Sequence, residues 1–552
     1  MPDGPVKTAW LQSVRKEFKT LVDNNTFVHD TPRKGESVTP IMETFKVKIL
    51  SDGSLDKLKT RIVVRGDLQS KTLTEAKWSP TASFRALKMF LAHASRIKAR
   101  VKQLDFVGAF LQAKTRSRVF VSIPPIYGIL FPEYKEYCGK PVHLAKSMYG
   151  MTLSGKYWFL DLQDYLVELG FKASTTIPSL FIKEDEHGDR LYILDYVDDM
   201  LYYGTNESKV KELETQLQKR FNLELMGQAH WYLSTRINQL SNYDIELDQS
   251  RYCKAIVKKY LDSAGTKRDL AHHPTPLPLN FTPSTEDCSA DEAATKQLEI
   301  EFNVEYSSCI GSLIYLSMTR CDTVYAINKL AKFSKRPGRK HFEAMFHLLR
   351  YLRDHPLLGL RFYNDFTNSP ISVMLTKEGH KQQQPLFSFS DSSWDDDVDH
   401  GRSTGCYIVT YMGSVIDHSS NLPNPVALSS AKAEYNEGCL AMMASSHLRM
   451  LLAELEGTSE ESMEPTNIYF DSRSAIAMGS SFRDTKHTRH ILRRYHYVRE
   501  GVRSQRFAMQ WIQTLVQLAD IGTKINPGPR HAFLISLLHV QVKDLITKIQ
   551  EG

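Results

Sequence analysis

The sequence has few of the features that mark a secreted or membrane-bound protein. Its 552 residues include seven cysteines, and no two of them stand at the C-x-x-C spacing of a zinc or redox site. An odd number of scattered cysteines excludes a disulfide framework and is typical of a reduced, intracellular protein. The N-terminus has no apolar signal-peptide core, and no apolar run is long enough for a membrane span.

A strong excess of one charge is also missing. The 70 Lys and Arg residues outnumber the 63 Asp and Glu residues by a net charge of +7. Such an excess permits binding to nucleic acid but is too small to indicate it alone. The hydrophobic fraction of 42% is enough for several buried cores, and the length predicts three or four domains.

The sharpest local motif is an acidic pair, Asp198 and Asp199, between the apolar runs RLYIL and MLYYG. Side chains alternate between the faces of a strand, so adjacent aspartates share one site only at a hairpin tip. There they would repel each other, and Mg²⁺, which prefers oxygen ligands, would relieve the repulsion. A solvated turn is the plain alternative. Asp105, at the end of an apolar strand, is a candidate third ligand, although taken alone it is better explained as a helix N-cap.

These aspartates lie in a series of segments that resembles the reverse transcriptases of copia-type LTR retrotransposons. The segments, in chain order, are KLKTRIVVRGDLQ, WSPTASFR, LDFVGAFLQAK, KSMYGMTLSGKYW, GFKASTTIPSLFI and YVDD. So many matching runs in the family's order are far more specific than the YVDD motif by itself. The resemblance implies a right-hand polymerase fold of fingers, palm and thumb, with Asp105, Asp198 and Asp199 as the palm carboxylates.

The same resemblance implies two-metal chemistry, with Mg²⁺ as the expected ion and Mn²⁺ as its alternative. Asp105 and Asp198 would be the main ligands, and Asp199 would be secondary. One ion would activate the primer 3′-OH, and the other would stabilise the leaving pyrophosphate.

The candidate substrate-binding residues are Lys59, Arg61, Arg65, Phe110, Tyr149 and Gly150. The three basic residues alternate along a strand-like run, so they would share a face that meets a triphosphate, unless the strand is simply basic and solvated. The aromatic stands five residues after the first aspartate, where reverse transcriptases place the ring that blocks a ribose 2′-OH; the alternative is an ordinary core phenylalanine. The Tyr-Gly pair matches the family segment expected near nucleotide and template.

Some positions depart from the family pattern. Asp195 stands where the family has an apolar residue, and residues 154–156 are Ser-Gly-Lys where it has Ala-Pro-Arg. Met42 stands near the usual lysine of a Lys-Trp pair. None of these departures touches the three carboxylates, but they bear on nucleotide affinity and fidelity.

A second acidic set lies towards the C-terminus and consists of Asp391, Glu434, Asp471 and Asp520. The pattern places them on an alternating strand, near the start of a long amphipathic helix, at a strand–helix junction and on the last helix, respectively. Singly, each has an ordinary explanation, such as an N-cap for the third. Together, DSSWDDD, ALSSAKAEY, DSRSAI, TKHTRHILRRYH and QLADIGTK resemble the RNase H segments of the same copia family, in order.

This second resemblance implies an α/β RNase H-like domain whose four carboxylates bind two Mg²⁺ ions and activate water against an RNA phosphate. The Ala-Glu-Tyr triplet selects Glu434 over its neighbour Glu437. No histidine precedes Asp520 in its loop, so we expect catalysis without one. The basic segment around His487, His490 and His496 is interpreted either as hybrid contact or as helix surface.

The expected organisation is α+β. Fingers and palm occupy 8–250, and thumb and connection occupy 251–385 with a Pro-rich acidic linker at 262–300. The RNase H-like domain occupies 386–527, and a C-terminal tail occupies 528–552. No protease D-[ST]-G motif and no integrase zinc pattern is present, so within a polyprotein this would be the C-terminal part.

The resemblance implies an RNA- and DNA-directed DNA polymerase that also degrades the RNA of a hybrid. Its partners would be an RNA template, a DNA or RNA primer, the RNA–DNA hybrid, dNTPs, and the integrase and capsid parts of the same element. The location implied is the cytoplasm, within virus-like particles, or the nucleus. The alternative is a domesticated protein that binds nucleic acid without catalysis, and the presence of all seven carboxylates argues against it.

Overall fold

The structure is a computed structural model that describes residues 4–49, 55–69, 78–262, 271–380, 384–423, 427–480 and 492–543. The helices are α1 Pro5–Asp23, α2 Phe84–Arg96, α3 Ala109–Gln112, α4 Ile126–Leu130, α5 Ser154–Glu168, α6 Glu207–Arg220, α7 Ser250–Val257, α8 Glu292–Phe302, α9 Tyr306–Leu316, α10 Val324–Ala331, α11 Arg339–Asp354, α12 Pro370–Lys377, α13 Ser430–Glu456, α14 Arg473–Ser480, α15 Leu492–Arg503 and α16 Gly528–Leu538. The strands are β1 Phe27–Val28, β2 Val38–Ile49, β3 Leu55–Val64, β4 Lys102–Phe106, β5 Phe120–Ser122, β6 Pro141–Leu144, β7 Lys172–Ala173, β8 Leu180–Glu184, β9 Arg190–Tyr196, β10 Asp199–Gly204, β11 Leu223–Gln228, β12 Trp231–Tyr232, β13 Thr235–Gln239, β14 Ile245–Asp248, β15 Leu358–Phe362, β16 Phe387–Asp397, β17 Arg402–Tyr411, β18 Ser414–Asn421, β19 Thr466–Phe470, β20 Phe507–Trp511 and β21 Val540–Gln541. This mixture of helix and sheet agrees with the class that the sequence predicted.

The chain forms two compact units. The first unit contains residues 1–82 and 102–227, and the second contains residues 83–101 and 228–552. Helix α2 therefore packs within the second unit, although the sequence places it among the polymerase segments. The units also divide at 227 instead of near the expected boundary at 250.

The first unit contains a five-stranded sheet of order β1-β6-β5-β2-β3 and a six-stranded sheet of order β11-β4-β10-β9-β8-β7. Strands β2 and β3 form an antiparallel pair, with Ile41 opposite Val64. The Asp52–Gly53 dipeptide between them, a pair typical of hairpin turns, lies outside the described residues. Helix α1 buries Val14, Phe18 and Leu21 in the core of the five-stranded sheet.

Helices α5 and α6 cover one face of the six-stranded sheet. Their buried apolar residues share a core with side chains of β4, β9 and β10: Trp158, Leu162, Leu166, Val210, Leu213, Leu217, Leu104, Phe106, Ile193, Met200 and Tyr202. Helix α5 is followed by Gly170 at φ +89°, a left-handed conformation typical of a glycine that ends a helix. The apolar face of each helix thus fixes the strands that carry the first acidic motif.

The second unit contains sheets of order β12-β13-β14-β15-β21 and β18-β17-β16-β19-β20. In the latter, β16 pairs antiparallel with β17 and parallel with β19, and β19 pairs parallel with β20. Helix α13 crosses over between β18 and β19, and its apolar residues pack against the sheet with those of β19. These parallel pairs bring the ends of β16 and β19 to one edge of the sheet.

Two segments differ from the expected organisation. Residues from 528 onward, interpreted as a tail, form α16 and β21, and β21 pairs with β15 through Leu358 opposite Gln541. The expected linker at 262–300 includes the start of helix α8, which begins at Glu292 after the N-cap Asp291.

All seven cysteines are free, as their spacing predicted. Among the residues that the structure describes, no helix has both the length and the apolar composition needed to cross a bilayer.

Candidate active sites

The acidic segments of the first unit meet on adjacent strands of the six-stranded sheet. Asp105 on β4 lies directly opposite Asp199, the first residue of β10. Directly opposed residues of an antiparallel pair point to the same face, with Cβ atoms about 5 Å apart. Asp198 occupies the two-residue turn between β9 and β10, and the Phe106 amide donates to its carbonyl oxygen at 2.8 Å. The three predicted carboxylates are thus brought together at a hairpin tip, and Asp105 is a strand residue and not an N-cap.

Burial and mutual repulsion act on these carboxylates together. Partial burial raises the pKa of Asp105, and the charges of Asp198 and Asp199 raise it further, while Lys59 opposes them. Burial also raises the pKa of Asp199, although the Gln103 amide donates to it at 3.3 Å. A divalent cation would relieve this repulsion, and carboxylate oxygens are the ligands that Mg²⁺ prefers.

Three of the predicted substrate-binding residues form one chain of contacts. The Arg61 guanidinium lies over the Tyr149 ring, 4.4 Å from its centroid. The Tyr149 ring meets the Phe110 ring edge-on, with centroids 4.9 Å apart. Such cation–π and edge-to-face contacts hold all three side chains in defined positions.

Gly150 permits this arrangement. It has φ +81°, and a Cβ at this position would overlap the carbonyl oxygen of Val64. The amide of Val64 in turn donates to the carbonyl oxygen of Tyr149 at 2.8 Å. The close backbone approach needs a glycine and brings Tyr149 beside the end of β3, where Arg61 lies.

Arg65 does not join the alternating row that the sequence suggested. Strand β3 ends at Val64, and the Arg65 guanidinium makes a two-pronged contact with Asp67, at 2.6 and 2.9 Å. The row on β3 therefore consists of Lys59 and Arg61, because the chain turns into a 3₁₀ segment immediately after the strand.

The second acidic set converges more tightly. Asp391, Glu434 and Asp471 each offer a carboxylate oxygen within 4.8 Å of the others. Asp391 lies on β16, and Asp471 follows the end of β19. Helix α13 begins after Ser429, whose hydroxyl accepts from the Lys432 amide, and this start places Glu434 on the second turn. Among the described residues, the carboxylate oxygens of the first acidic set do not all lie within this distance of one another.

Basic side chains balance the charges of this site only in part. Burial, and then the charge of Asp520, raises the pKa of Asp391 to about 6. Burial, followed by the charges of Asp391 and Asp471, raises the pKa of Glu434 well above its ordinary value. One oxygen of Glu434 is buried and has no hydrogen-bond partner among the described residues. An all-oxygen donor set with an orphaned buried oxygen fits a hard divalent cation.

Asp520 differs from the other three carboxylates. It lies on the 3₁₀ segment Leu518–Gly522 and not on the last helix, which is α16. Lys524 Nζ lies 2.7 Å from one of its oxygens, and Arg530 donates to the other at 3.2 Å. Asp520 is thus paired with two cations beside the cluster.

Three further residues of this site were not predicted from the sequence: Thr523, Lys524 and Arg530. The Thr523 hydroxyl donates to the Asp391 carboxylate, and Lys524 Nζ lies 4.0 Å from the same group. The signal available was helical spacing, since the first two follow Asp520 by three and four residues and so lie on its side of a helical turn.

Asp471 is not a helix N-cap, and Glu434 is not a surface residue. Ser472, and not Asp471, supplies the side chain that accepts from the Ala475 amide at the start of α14. Asp471 instead accepts from the Thr514 hydroxyl at 2.9 Å. Glu434 is 7% exposed and so is not a solvated helix face. Glu437 is fully buried one turn further on, outside the converging group.

The basic segment before α15 is described only in part. His487 and His490 lie outside the described residues, and His496 is an exposed residue of α15. The choice between hybrid contact and helix surface stays open for this segment.

Comparison with known proteins identifies sequence relatives of the chain. Residues 24–268 match the family described as "Reverse transcriptase (RNA-dependent DNA polymerase)". The chain is 27% identical, over 95% of its length, to a retrovirus-related Pol polyprotein from transposon TNT 1-94 of Nicotiana tabacum, of which it covers 37%. It is 28% identical, over 95% of its length, to the corresponding polyprotein from transposon RE2 of Arabidopsis thaliana, of which it covers 33%. The chain thus spans about a third of the length of these relatives.

More distant similarities exist in yeast and among solved structures. The chain is 24% identical, over 94% of its length, to the transposon Ty1-NL2 Gag-Pol polyprotein of Saccharomyces cerevisiae, of which it covers 28%. A solved N-terminal RNase H domain from Mycobacterium tuberculosis, fused to maltose binding protein, matches 27% of this chain and 96% of that chain, at 12% identity and a TM-score of 0.19. By its sequence relatives, the chain is similar over nearly its whole length to part of the Pol polyproteins of copia-type retrotransposons, and residues 24–268 match a reverse transcriptase family.

Proposed function

We propose that the chain is an RNA- and DNA-directed DNA polymerase that also cleaves the RNA strand of an RNA–DNA hybrid. The observation that carries the proposal is the presence of two separate carboxylate sites, one in each unit, both assembled from residues far apart in sequence. Each site is built from the residues that the resemblance selected. The first unit then corresponds to fingers and palm, and the second contains thumb, connection and RNase H-like domain.

At the first site, Asp105, Asp198 and Asp199 would hold two Mg²⁺ ions, with Mn²⁺ as an alternative. Such ions lower the pKa of a primer 3′-OH and neutralise the charge of the triphosphate. Arg61, held over Tyr149, presents a fixed positive charge for the triphosphate. Phe110, fixed by its contact with the same tyrosine, forms a wall that excludes a ribose 2′-OH.

At the second site, Asp391, Glu434 and Asp471 would hold the ions, and Asp520 would close the set. When bound, these ions activate water for attack on a phosphodiester. Lys524 and Arg530 orient the Asp520 carboxylate through their ion pairs with it, and the Thr523 hydroxyl orients Asp391. Cleavage restricted to RNA requires contact with a 2′-OH beside the scissile phosphate.

The substrates proposed are an RNA template, a DNA or RNA primer, the hybrid product and dNTPs. The relatives are polyproteins, so integrase and capsid parts of the same element are the proposed protein partners, and cytoplasmic virus-like particles or the nucleus are the proposed locations. These assignments rest on the relatives, which are Pol and Gag-Pol polyproteins.

The test compares two activities in one preparation. Primer extension on RNA and on DNA templates, and cleavage of the labelled RNA of a hybrid, are measured with Mg²⁺ for the unchanged chain, Asp198→Asn and Asp471→Asn. We expect Asp198→Asn to abolish extension and spare cleavage, and Asp471→Asn to do the reverse. A chain that binds template–primer but performs neither reaction would instead be a non-catalytic binding protein.

A further inference from the structure

The turn that carries Asp198 contains a strained residue. Val197 has φ +62°, a left-handed conformation that a β-branched residue rarely adopts. Such a conformation costs free energy and persists only where surrounding contacts hold it in place. The contacts on either side of Val197 therefore decide the direction in which Asp198 points.

Two buried side chains hold the backbone of Val197. The Trp158 indole Nε1–H donates to the Val197 carbonyl oxygen at 2.5 Å. The Val197 amide donates to the carboxyl group of Asp195, two residues earlier on β9. Trp158 and Asp195 are each 1% exposed, so water does not compete for either bond.

Trp158 connects this turn to the strand of Asp105. Its ring packs edge-on against Phe106, with centroids 4.8 Å apart. Phe106 follows Asp105 on β4, and its amide donates to the carbonyl oxygen of Asp198 at 2.8 Å. One indole thus touches both backbone segments that carry the carboxylates of the first site.

Asp195 has the character of a neutral hydrogen-bonding group. It is enclosed beside Ser179, whose carbonyl oxygen accepts from the Asp195 amide at 2.9 Å. One of its carboxyl oxygens is buried and has no partner among the described residues. Burial, followed by the charge of Asp198, raises the pKa of Asp195 well above its ordinary value. Burial thus favours the neutral form of the acid, whose carbonyl oxygen still accepts the Val197 amide.

We propose that Asp195 and Trp158 are positioning residues that clamp Val197 in its left-handed conformation and thereby aim the Asp198 carboxylate towards Asp105 and Asp199. The inference rests on the proposed polymerase function of this site and deepens it. The family resemblance assigns no role to Asp195, because the family has an apolar residue at that position. Here the carboxyl group supplies the bond to the strained peptide.

The variants are chosen to separate positioning from charge. Asp195→Asn retains a neutral acceptor for the Val197 amide, whereas Asp195→Leu removes the acceptor and keeps the branching at Cγ. Trp158→Phe removes the indole N–H and retains an aromatic ring against Phe106. All are made with Asp391→Asn and Asp471→Asn, so that the second site does not bind the probe.

The probe is the Mn²⁺ ion alone, followed by electron paramagnetic resonance, and adding Asp198→Asn defines the residual signal. We expect Asp195→Leu and Trp158→Phe to weaken Mn²⁺ binding by about 10–100-fold, the range for residues that orient metal ligands. Asp195→Asn should bind as tightly as its parent. Hydrogen exchange should increase at the 196–199 turn and remain unchanged in the rest of the six-stranded sheet.

Kinetics provide the second readout, in the chain with an intact second site. We expect kcat of primer extension to fall in Asp195→Leu and Trp158→Phe while KM for dNTP changes little, and Asp195→Asn to retain activity. A loss of Mn²⁺ binding in Asp195→Asn would show that the charge acts as a ligand and would overturn the inference. Unchanged binding in both Asp195→Leu and Trp158→Phe would also overturn it.

Two further outcomes are informative. If Asp195→Leu loses protection throughout the sheet, its fold has failed, and Trp158→Phe, which keeps the packing, decides the question. If Mn²⁺ binds through Asp198 and responds to the variants as expected, but no primer is extended, then the positioning inference holds and the proposed polymerase function fails.

Discussion

The C-terminal segment of the second unit is held by a buried ion pair whose strength depends on pH. His539 Nε2 lies 3.2 Å from an Asp322 carboxylate oxygen, and both side chains are fully buried. Burial disfavours the charge on His539, but Cys321 and Asp322 outweigh it and raise the pKa of His539 to about 9. His539 lies between α16 and β21, so the pair fixes the segment that carries Arg530.

The magnitude follows from the difference between folded and unfolded pKa values. The pKa of His539 rises from 6.5 to about 9, and each unit corresponds to about 1.4 kcal/mol, so protonation contributes about 3 kcal/mol. Because the folded pKa is raised, this stabilisation is fully present below pH 6.5. It is lost as the pH increases through 9.

Three of the groups around the pair, Tyr351, His531 and Arg320, do not titrate in this window. Burial raises the pKa of Tyr351 well above its ordinary value, and Asp322 raises it further. Burial lowers the pKa of His531 to about 4, so this side chain is neutral throughout. Arg320, paired with Asp322 at 2.8 Å, keeps its charge. The Cys321 thiol lies 3.5 Å from His539 Nε2 and is present in both proteins that the assay compares.

The assay is hydrogen exchange of peptides from α16 and β21, which yields a local free energy of opening after correction for intrinsic rates. Between pH 6.5 and 9.5 we expect this free energy to fall by about 3 kcal/mol in the unchanged chain and to change little in His539→Gln. Hybrid cleavage should fall in parallel, because Arg530 on α16 supports Asp520. Equal pH slopes in the two proteins would refute the reasoning.

Three further outcomes follow from the sites. Phe110→Val should allow incorporation of ribonucleotides while sparing the use of dNTPs. If discrimination between rNTPs and dNTPs in single-nucleotide extension is unchanged, Phe110 is an ordinary core residue. Asp520→Asn should lose hybrid cleavage about tenfold and recover at higher Mg²⁺ concentration, as expected of an outer ligand, whereas Asp391→Asn should not recover. Gly150→Ala should raise KM for dNTP and lower the melting temperature, because its Cβ would overlap the carbonyl oxygen of Val64; a neutral effect on both would contradict the close approach.

Local pattern in the sequence was enough to place most of the acidic residues. An apolar run ending in Asp105, and an Asp-Asp pair between two apolar runs, predict a strand end and a hairpin tip because side chains alternate along strands. The same logic placed Asp391 on a strand and Glu434 on a helix. These predictions depend on neighbours within a few residues, and the structure has each of them in the expected element.

What only the tertiary structure decided depends on partners distant in sequence. The segment after residue 528 contains strand β21, which forms because it pairs with the edge of β15. No periodicity within the segment itself predicts that pairing. Arg65 does not share a row with Lys59 and Arg61, because β3 ends one residue earlier. The bond from Trp158 to Val197 joins residues 39 positions apart. Such contacts depend on how whole helices and strands pack together. Local sequence pattern therefore determined which residues carry the chemistry, and packing determined which other side chains orient those residues.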